Sequence, residues 1–267
     1  AYSLFLVYFT NLKRGGIMGK YAVFSESNSK LNKEKSIYTI GLMLAPAKSS
    51  GFNVCSHSGN CEKACIGEFA GFNRLKSVQN KHIETTREFF AAPKTFLNVM
   101  LFDILKAERL AEKQGKKLAV RLNVFSDIPW EKMLFTCGRN LFEILADNGK
   151  KTVLYDYTKN PKRFYLNSIY PNYHITASYS EKWELDQNQT WDLIRNNIKI
   201  AIPFIGEIPK KYTWEFPGGG RISGKVLNGD KSDYRPADSK NKAFFVGLKA
   251  KGGKNITENN PFFITVK

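Results

Sequence analysis

The amino-acid sequence predicts an α/β protein built on a mostly parallel sheet, in the form of an open or incomplete (β/α) barrel with a long excursion near the C-terminus. Three observations predict it. Apolar runs of strand length alternate with amphipathic stretches of helical period, an order that yields parallel strands joined by crossover helices. Several of those strands run into polar clusters, Asn123 to Asp127, Asp156 to Lys159 and Ser178 to Glu181, as expected where a parallel sheet carries its site at the strands' carboxyl ends. The chain has 267 residues, 42% of them hydrophobic and 24% charged, which suits one such sheet and excludes extensive disorder.

The N-terminal stretch Ala1 to Thr10 is apolar, yet no basic segment precedes it and no small-residue cleavage site follows. It is too short to span a bilayer, so it is read as neither a signal peptide nor an anchor. The first methionine is Met18. One reading therefore makes residues 1–17 an N-terminal extension translated from upstream of the natural start, leaving 18–267 as a single α/β domain. The other makes the stretch an edge strand.

Ser36 to Leu44 reads as a strand running into Ala45-Pro46, and a cysteine loop follows at once. Val78 to Phe90 and Pro93 to Gln114 read as helices, the second with apolar residues at 97, 101, 104 and 111 and Gly115 as its stop. Leu118 to Val124 is the second strand, and Lys132 to Asp147 is read as one helix stopped near Gly149. Thr152 to Tyr157, His174 to Ser178, Ile198 to Phe204 and Ala243 to Leu248 complete the strands, with Trp191 to Asn197 on the helix before Ile198. Pro209 to Lys242 is rich in Gly, Pro, Asp and Lys and reads as the long excursion, with a hairpin at Arg221 to Leu227.

Forty-one Lys and Arg against 24 Asp and Glu give a formal charge of +17, a field that gathers polyanions, so nucleic acid is one expected partner. The alternative is a solvated basic surface, because no run of five consecutive basic residues occurs. The 12 Tyr and 4 Trp would offer stacking surfaces where they are exposed. No membrane role is expected. Four cysteines are too few for a disulfide framework, which points to a reducing, cytoplasmic setting.

Three of the four cysteines, Cys55, Cys61 and Cys65, lie in one short loop with the spacing C-x5-C-x3-C. A loop rich in Gly, Ser and Asn can fold around a cation, and thiolates select zinc or iron–sulfur clusters. The alternative is three reduced cysteines with Cys61 and Cys65 one helical turn apart on a buried face. Structural zinc needs four ligands, so His57 or His82 would have to complete it. An iron–sulfur cluster on three cysteines leaves one iron open. Cys137, read as mid-helix, is expected in the core.

A further set of motifs carries a family resemblance. It comprises Leu44-Ala45-Pro46-Ala47 with Gly51-Phe52-Asn53-Val54-Cys55, Cys61 and Cys65; Val120-Arg121-Leu122-Asn123 with Ser126-Asp127-Ile128 and Trp130-Glu131; and Tyr155-Asp156-Tyr157-Thr158-Lys159. Tyr173-His174-Ile175-Thr176 with Ser178, Ser180 and Glu181 continues it, as do Asn228-Gly229-Asp230 with Asp233 and Arg235, and Val246 to Gly252. In these motifs, over residues 37 to 252, the chain resembles the gene product 88 domain family of bacteriophages. A looser similarity, at fold level, is to radical S-adenosylmethionine enzymes, which hold a four-iron cluster on three cysteines after the first strand of a partial barrel. That likeness implies an iron–sulfur cofactor and S-adenosylmethionine. The spacing departs from the usual C-x3-C-x2-C, and no Gly-Gly-Glu motif follows the second strand.

The strand-end residues are the candidate site. Asp127, Asp156, Lys159, Ser178 and Glu181 are taken as catalytic candidates and Asn123 and Ser180 as cofactor-binding candidates. Each has a structural alternative. Asp127 could cap a helix beginning at Pro129-Trp130, and Ser178, Ser180 and Glu181 could be turn residues. Asp156 ends an apolar strand, where an unpaired carboxylate is costly, and Lys159 is placed to pair with it or to contact phosphate. Asp230, Asp233, Arg235 and Asp238 lie in the excursion, either as a lid or carboxylate cluster or as a solvated loop. Two functions follow: an enzyme of radical S-adenosylmethionine type with a cluster on Cys55, Cys61 and Cys65, or a non-enzymatic nucleic-acid-binding protein with structural zinc. A viral structural protein fits a cysteine triad beside polar strand ends less well.

Overall fold

A computed structural model describes residues 21–26, 34–147, 152–240, 242–251 and 259–265. The alternatives for residues 1–17 lie outside these described residues.

The strands and helices follow the expected alternation. In chain order they are β1 (Phe24–Ser25), β2 (Ile37–Leu42), α1 (Lys76–Ala91), α2 (Pro93–Lys113), β3 (Lys117–Arg121), α3 (Leu141–Asp147), β4 (Val153–Thr158), α4 (Leu166–Ile169) and β5 (Tyr173–Ser178). Then come α5 (Gln187–Arg195), β6 (Ile200–Ile205), β7 (Lys211–Glu215), β8 (Arg221–Asn228), β9 (Phe245–Lys249) and β10 (Ile264–Thr265). The sheet runs β1-β2-β3-β4-β5-β6-β9-β8-β7, and β10 pairs with β6. Every pairing from β2 to β8 is parallel, whereas β1 and β7 join at the two edges antiparallel.

From β2 to β6 each new strand is laid beside the last, so the successive crossovers put their helices on one face. The core confirms it. Tyr38, Ile40 and Leu42 of β2, Leu118 and Val120 of β3, Leu154 of β4 and Tyr173 and Ile175 of β5 pack with Phe89, Phe96, Leu97, Met100 and Ile104 of α1 and α2. Strand alternation then sends Ile37, Thr39, Ala119, Arg121, Tyr155, Tyr157, His174 and Thr176 to the opposite face. The path ends on β1 and β7 without closing. The described sheet is thus open, mixed and mostly parallel.

Two expectations are corrected. Residues 132–147 are not one helix: Trp130–Lys132 is a 3₁₀ turn, Leu134 and Asn140 form an antiparallel bridge, and α3 starts only at Leu141. Gly138 sits at φ +76° in the tight turn between them, a conformation that glycine adopts cheaply. Asn140 then restarts the helix as a capping box, its Oδ1 accepting from the Glu143 amide while Glu143 Oε2 accepts from the Asn140 amide. Cys137 is accordingly exposed in a turn rather than packed in the core. The hairpin expected at Arg221 to Leu227 is also misplaced: that stretch is one strand, β8, which pairs antiparallel with β7 across the 216–220 turn and extends the main sheet beside β9.

The capping box makes a direct prediction. Asn140→Ala should lower stability by about 1 kcal/mol, read as a shift in the urea midpoint with an unchanged slope. An unchanged midpoint would mean that the bridge alone holds the turn.

Candidate functional site

The cysteine loop leaves β2 at its carboxyl end and is tied to the next strand's exit by backbone. The Asp127 amide donates to the Val54 carbonyl at 2.8 Å, and the Cys55 thiol donates to the Phe125 carbonyl at 3.4 Å. Cys61 lies in a 3₁₀ turn, Asn60–Ala64, which Cys65 ends. The far side of the loop is stapled by the segment after β5. Glu181 Oε1 accepts from the Asn60 amide at 2.6 Å and from its side-chain nitrogen at 2.9 Å, and Lys182 Nζ donates to the Ser58 carbonyl at 3.1 Å. Gly59 is required for this approach, since a Cβ there would lie 2.2 Å from Glu181 Oε1.

Lys159 stands half-buried beside this loop. Its Nζ donates to Ser178 Oγ at 2.9 Å and to the Tyr179 carbonyl at 2.6 Å, and it lies 4.4 Å from the Phe262 ring centre. Burial lowers its pKa, opposed by the negative potential of Cys61, Asp127, Glu181 and Cys55. Burial pushes the thiols of Cys55 and Cys65 up to about 12; Cys55 also feels Cys65 and Cys61, and Cys65 feels Cys61. On Glu181, burial disfavours charge, but its bonds to Asn60 and the Lys159 charge outweigh that and hold its pKa low. The three cysteines, Asp127, Lys159, Ser178 and Glu181 therefore meet on one rim. Lys159 pairs with Ser178 rather than with Asp156.

Asp127, Asn123, Asp156 and Ser180 act differently from the sequence expectation. Asp127 caps no helix: its carboxylate accepts from Thr158 Oγ1 at 2.7 Å, the Lys159 amide at 3.0 Å and Arg163 Nη1 at 2.6 Å. Asp156 lies on the helix-covered side and is fully buried, accepting from the Asn123 amide at 2.6 Å, Asn123 Nδ2 at 3.1 Å and the Tyr173 hydroxyl at 2.8 Å. Asn123 Oδ1 in turn accepts from Ser126 Oγ, the Ile128 amide and Trp130 Nε1. Ser180 is buried, its Oγ accepting from the Lys182 amide in a turn. Asp156, Asn123 and Ser180 thus shape loops instead of facing a ligand, because their polar atoms already have partners.

Arg163 escaped sequence reading. It has 3% side-chain exposure, and it bridges Asp127, both oxygens of Glu131 and the Tyr173 hydroxyl. Only the preceding Pro161 marked its turn, and nothing local distinguishes it from a surface arginine. Nor is the excursion a solvated loop: Asp233 and Arg235 are buried, and Asp233 Oδ2 takes Arg121 Nη1 at 2.8 Å on the face opposite the helices.

His57 bonds only to its neighbour Ser56 among the described contacts, and His82 is buried on α1 against Phe125, with burial lowering its pKa to about 4. Among the described residues no three His, Cys, Asp or Glu side chains are grouped to hold a metal ion. The thiols are chemically suited to a thiophilic metal, and burial disfavours the thiolate form of Cys55 and Cys65. Trp130, Trp183 and Trp214 are core residues, which leaves Trp191 as the exposed tryptophan and removes most of the expected stacking surface. No helix of the described residues is long and apolar enough to cross a membrane.

The model of a protein family described as gene product 88 matches residues 22–261. No curated protein and no solved structure matches the chain.

Two outcomes test the rim. Arg163→Met would strand Asp127 and Glu131 as buried charges and should cost about 3–5 kcal/mol in chemical denaturation. Burial pushes Asp156 up to about 6, against the pull of Arg163, Tyr173 and Asn123. A carboxyl with its folded pKa raised holds its proton more tightly when folded, so its contribution to stability grows as pH falls from about 6 towards about 4 and is smallest above that window. Relative to Asp156→Asn, the wild type should therefore gain stability between pH 7 and pH 4.5 (both approximate). A difference independent of pH would mean that the carboxylate ionises normally.

Proposed function

The chain belongs to the gene product 88 family, and we propose that it is an enzyme working with an iron–sulfur cluster on Cys55, Cys61 and Cys65 at the carboxyl rim of an incomplete (β/α) barrel. The reading is carried by one loop after the first parallel strand that supplies all three cysteines on the rim where Lys159 lies, a lysine whose pKa burial lowers against the pull of Cys61 and Cys55. The stepwise strand order supports the barrel, since a sheet with helices on one face must curl or be plugged to cover the other.

A cluster is favoured over zinc by ligand count. Three cysteines satisfy a cluster, where structural zinc needs a fourth ligand. When bound, the cluster would supply one-electron transfer at an iron open to a ligand. The chain's own residues do the rest. Cys55 and Cys65 must lose protons and turn onto one centre, so loading releases protons and strengthens as pH rises. Lys159, held by Ser178 and Tyr179, offsets the negative charge that the thiolates bring. Glu181 and Asp127 hold the two ends of the cysteine loop through Asn60 and Val54.

Protein purified anaerobically should be brown, contain iron and sulfide, and lose both when Cys55, Cys61 and Cys65 are changed to Ala. Cys137→Ala should keep them, because Cys137 sits in the exposed 134–140 turn. Equilibrium dialysis of the brown protein against S-adenosylmethionine then reads whether that molecule joins the open iron. Colourless protein carrying one tightly held zinc would refute the enzyme and favour the nucleic-acid-binding alternative that the +17 charge suggests.

A further inference from the structure

The face of the sheet opposite the helices carries a second polar cluster, separate from the cysteine rim. Arg121 of β3 lies with its guanidinium carbon 4.6 Å from the ring centre of Tyr157 on β4. The segment between β8 and β9 covers them. It contributes Asp233, whose Oδ2 bonds Arg121 Nη1 at 2.8 Å and the Tyr155 hydroxyl at 3.3 Å, and the buried Arg235.

These groups are not fully used by the fold. Arg121 Nε, Arg235 Nε and the Tyr157 hydroxyl are all buried without a hydrogen-bond partner. Arg235 Nη1 and Asp238 Oδ2 stand 3.0 Å apart as an ion pair but are misaligned for a hydrogen bond. Arg163 on the other face is the internal comparison, with Nε, Nη1 and Nη2 all bonded. An unmade buried hydrogen bond costs about 1–3 kcal/mol, so three on one face amount to a sizeable part of a domain's stability unless something accepts from them.

We propose that this cluster is a binding site for a small oxyanion of the phosphate or carboxylate kind. The two guanidinium Nε groups can only donate, and the Tyr157 hydroxyl can donate alongside them, so the ligand must be rich in acceptors. Two arginines make the ligand an anion, in a position where Asp233 already stands in for one. Arg121 lies over the Tyr157 ring and is held by Asp233 of the same segment that carries Arg235, which places the cluster beside Tyr157. Asp233 is then an internal competitor: an incoming oxyanion contests its hold on Arg121. The site is independent of whether the cysteine loop holds a metal.

The test is calorimetric titration of the full-length protein with inorganic phosphate and, separately, with acetate, at constant ionic strength so that the +17 surface contributes equally throughout. One saturable site is expected for at least one of the two anions. Tyr157→Phe keeps size and packing and should weaken that binding about tenfold. Asp233→Asn should lower the melting temperature yet tighten the same anion about tenfold, because the competing charge is gone. Binding that is absent, or unchanged in Tyr157→Phe, would overturn the site and leave the hydroxyl to ordered water. Weaker binding in Asp233→Asn would overturn the competition and reduce Asp233 to a scaffold.

Discussion

One guanidinium with almost no access to water organises the carboxyl rim. Arg163 neutralises Asp127 and Glu131 together, and its third contact, the Tyr173 hydroxyl, leads to Asp156 and so to the Asn123 amide. A charge this deep is tolerated only when every donor has a partner, so the three loops that supply those partners cannot move independently. Asp127 carries the constraint onward. Its side chain is tied to the exit of β4 and its amide to Val54, which puts the start of the cysteine loop in register with the ends of β3 and β4.

The second anchor, Glu181, closes the loop from the opposite side. Its bonds to Asn60 act one residue before Cys61, at a point where Gly59 lets the carboxylate reach the backbone. Between the two anchors stands the half-buried Lys159, whose charge feels Cys61 and Cys55. The cysteine loop is therefore positioned by residues far away in sequence, and its own Gly, Ser and Asn content supplies compliance more than shape.

The two faces of the sheet solve the burial problem differently. The helix side is a continuous apolar core from Tyr38 to Ile175. The opposite side carries the apolar patch of Ile37, Ala119 and Tyr155 against Tyr234 and the buried Arg121–Asp233 pair, beneath the 229–240 segment. A sheet wound in one direction has no second helix layer, and over these strands a segment of mixed charge takes its place.

Alternation of apolar runs and helical periods, a local property, was enough by itself to determine parallel order, the helix pair 76–113, the placing of the cysteine loop after the first parallel strand and the gathering of strand ends at one rim. Tertiary structure alone decided which polar strand-end groups face the loop and which are consumed in holding it. Asp156 and Lys159 are three residues apart, yet strand pleating and the turn at Thr158 send one beneath the helices and the other behind the thiols. The break at Gly138, the burial of Arg163 and the plugging of the second face by Asp233 and Arg235 were likewise settled by partners about 30 to 110 residues distant or by a single left-handed turn. Such contacts leave no periodic trace, because a hydrogen bond between remote side chains depends on where the backbone has already been carried.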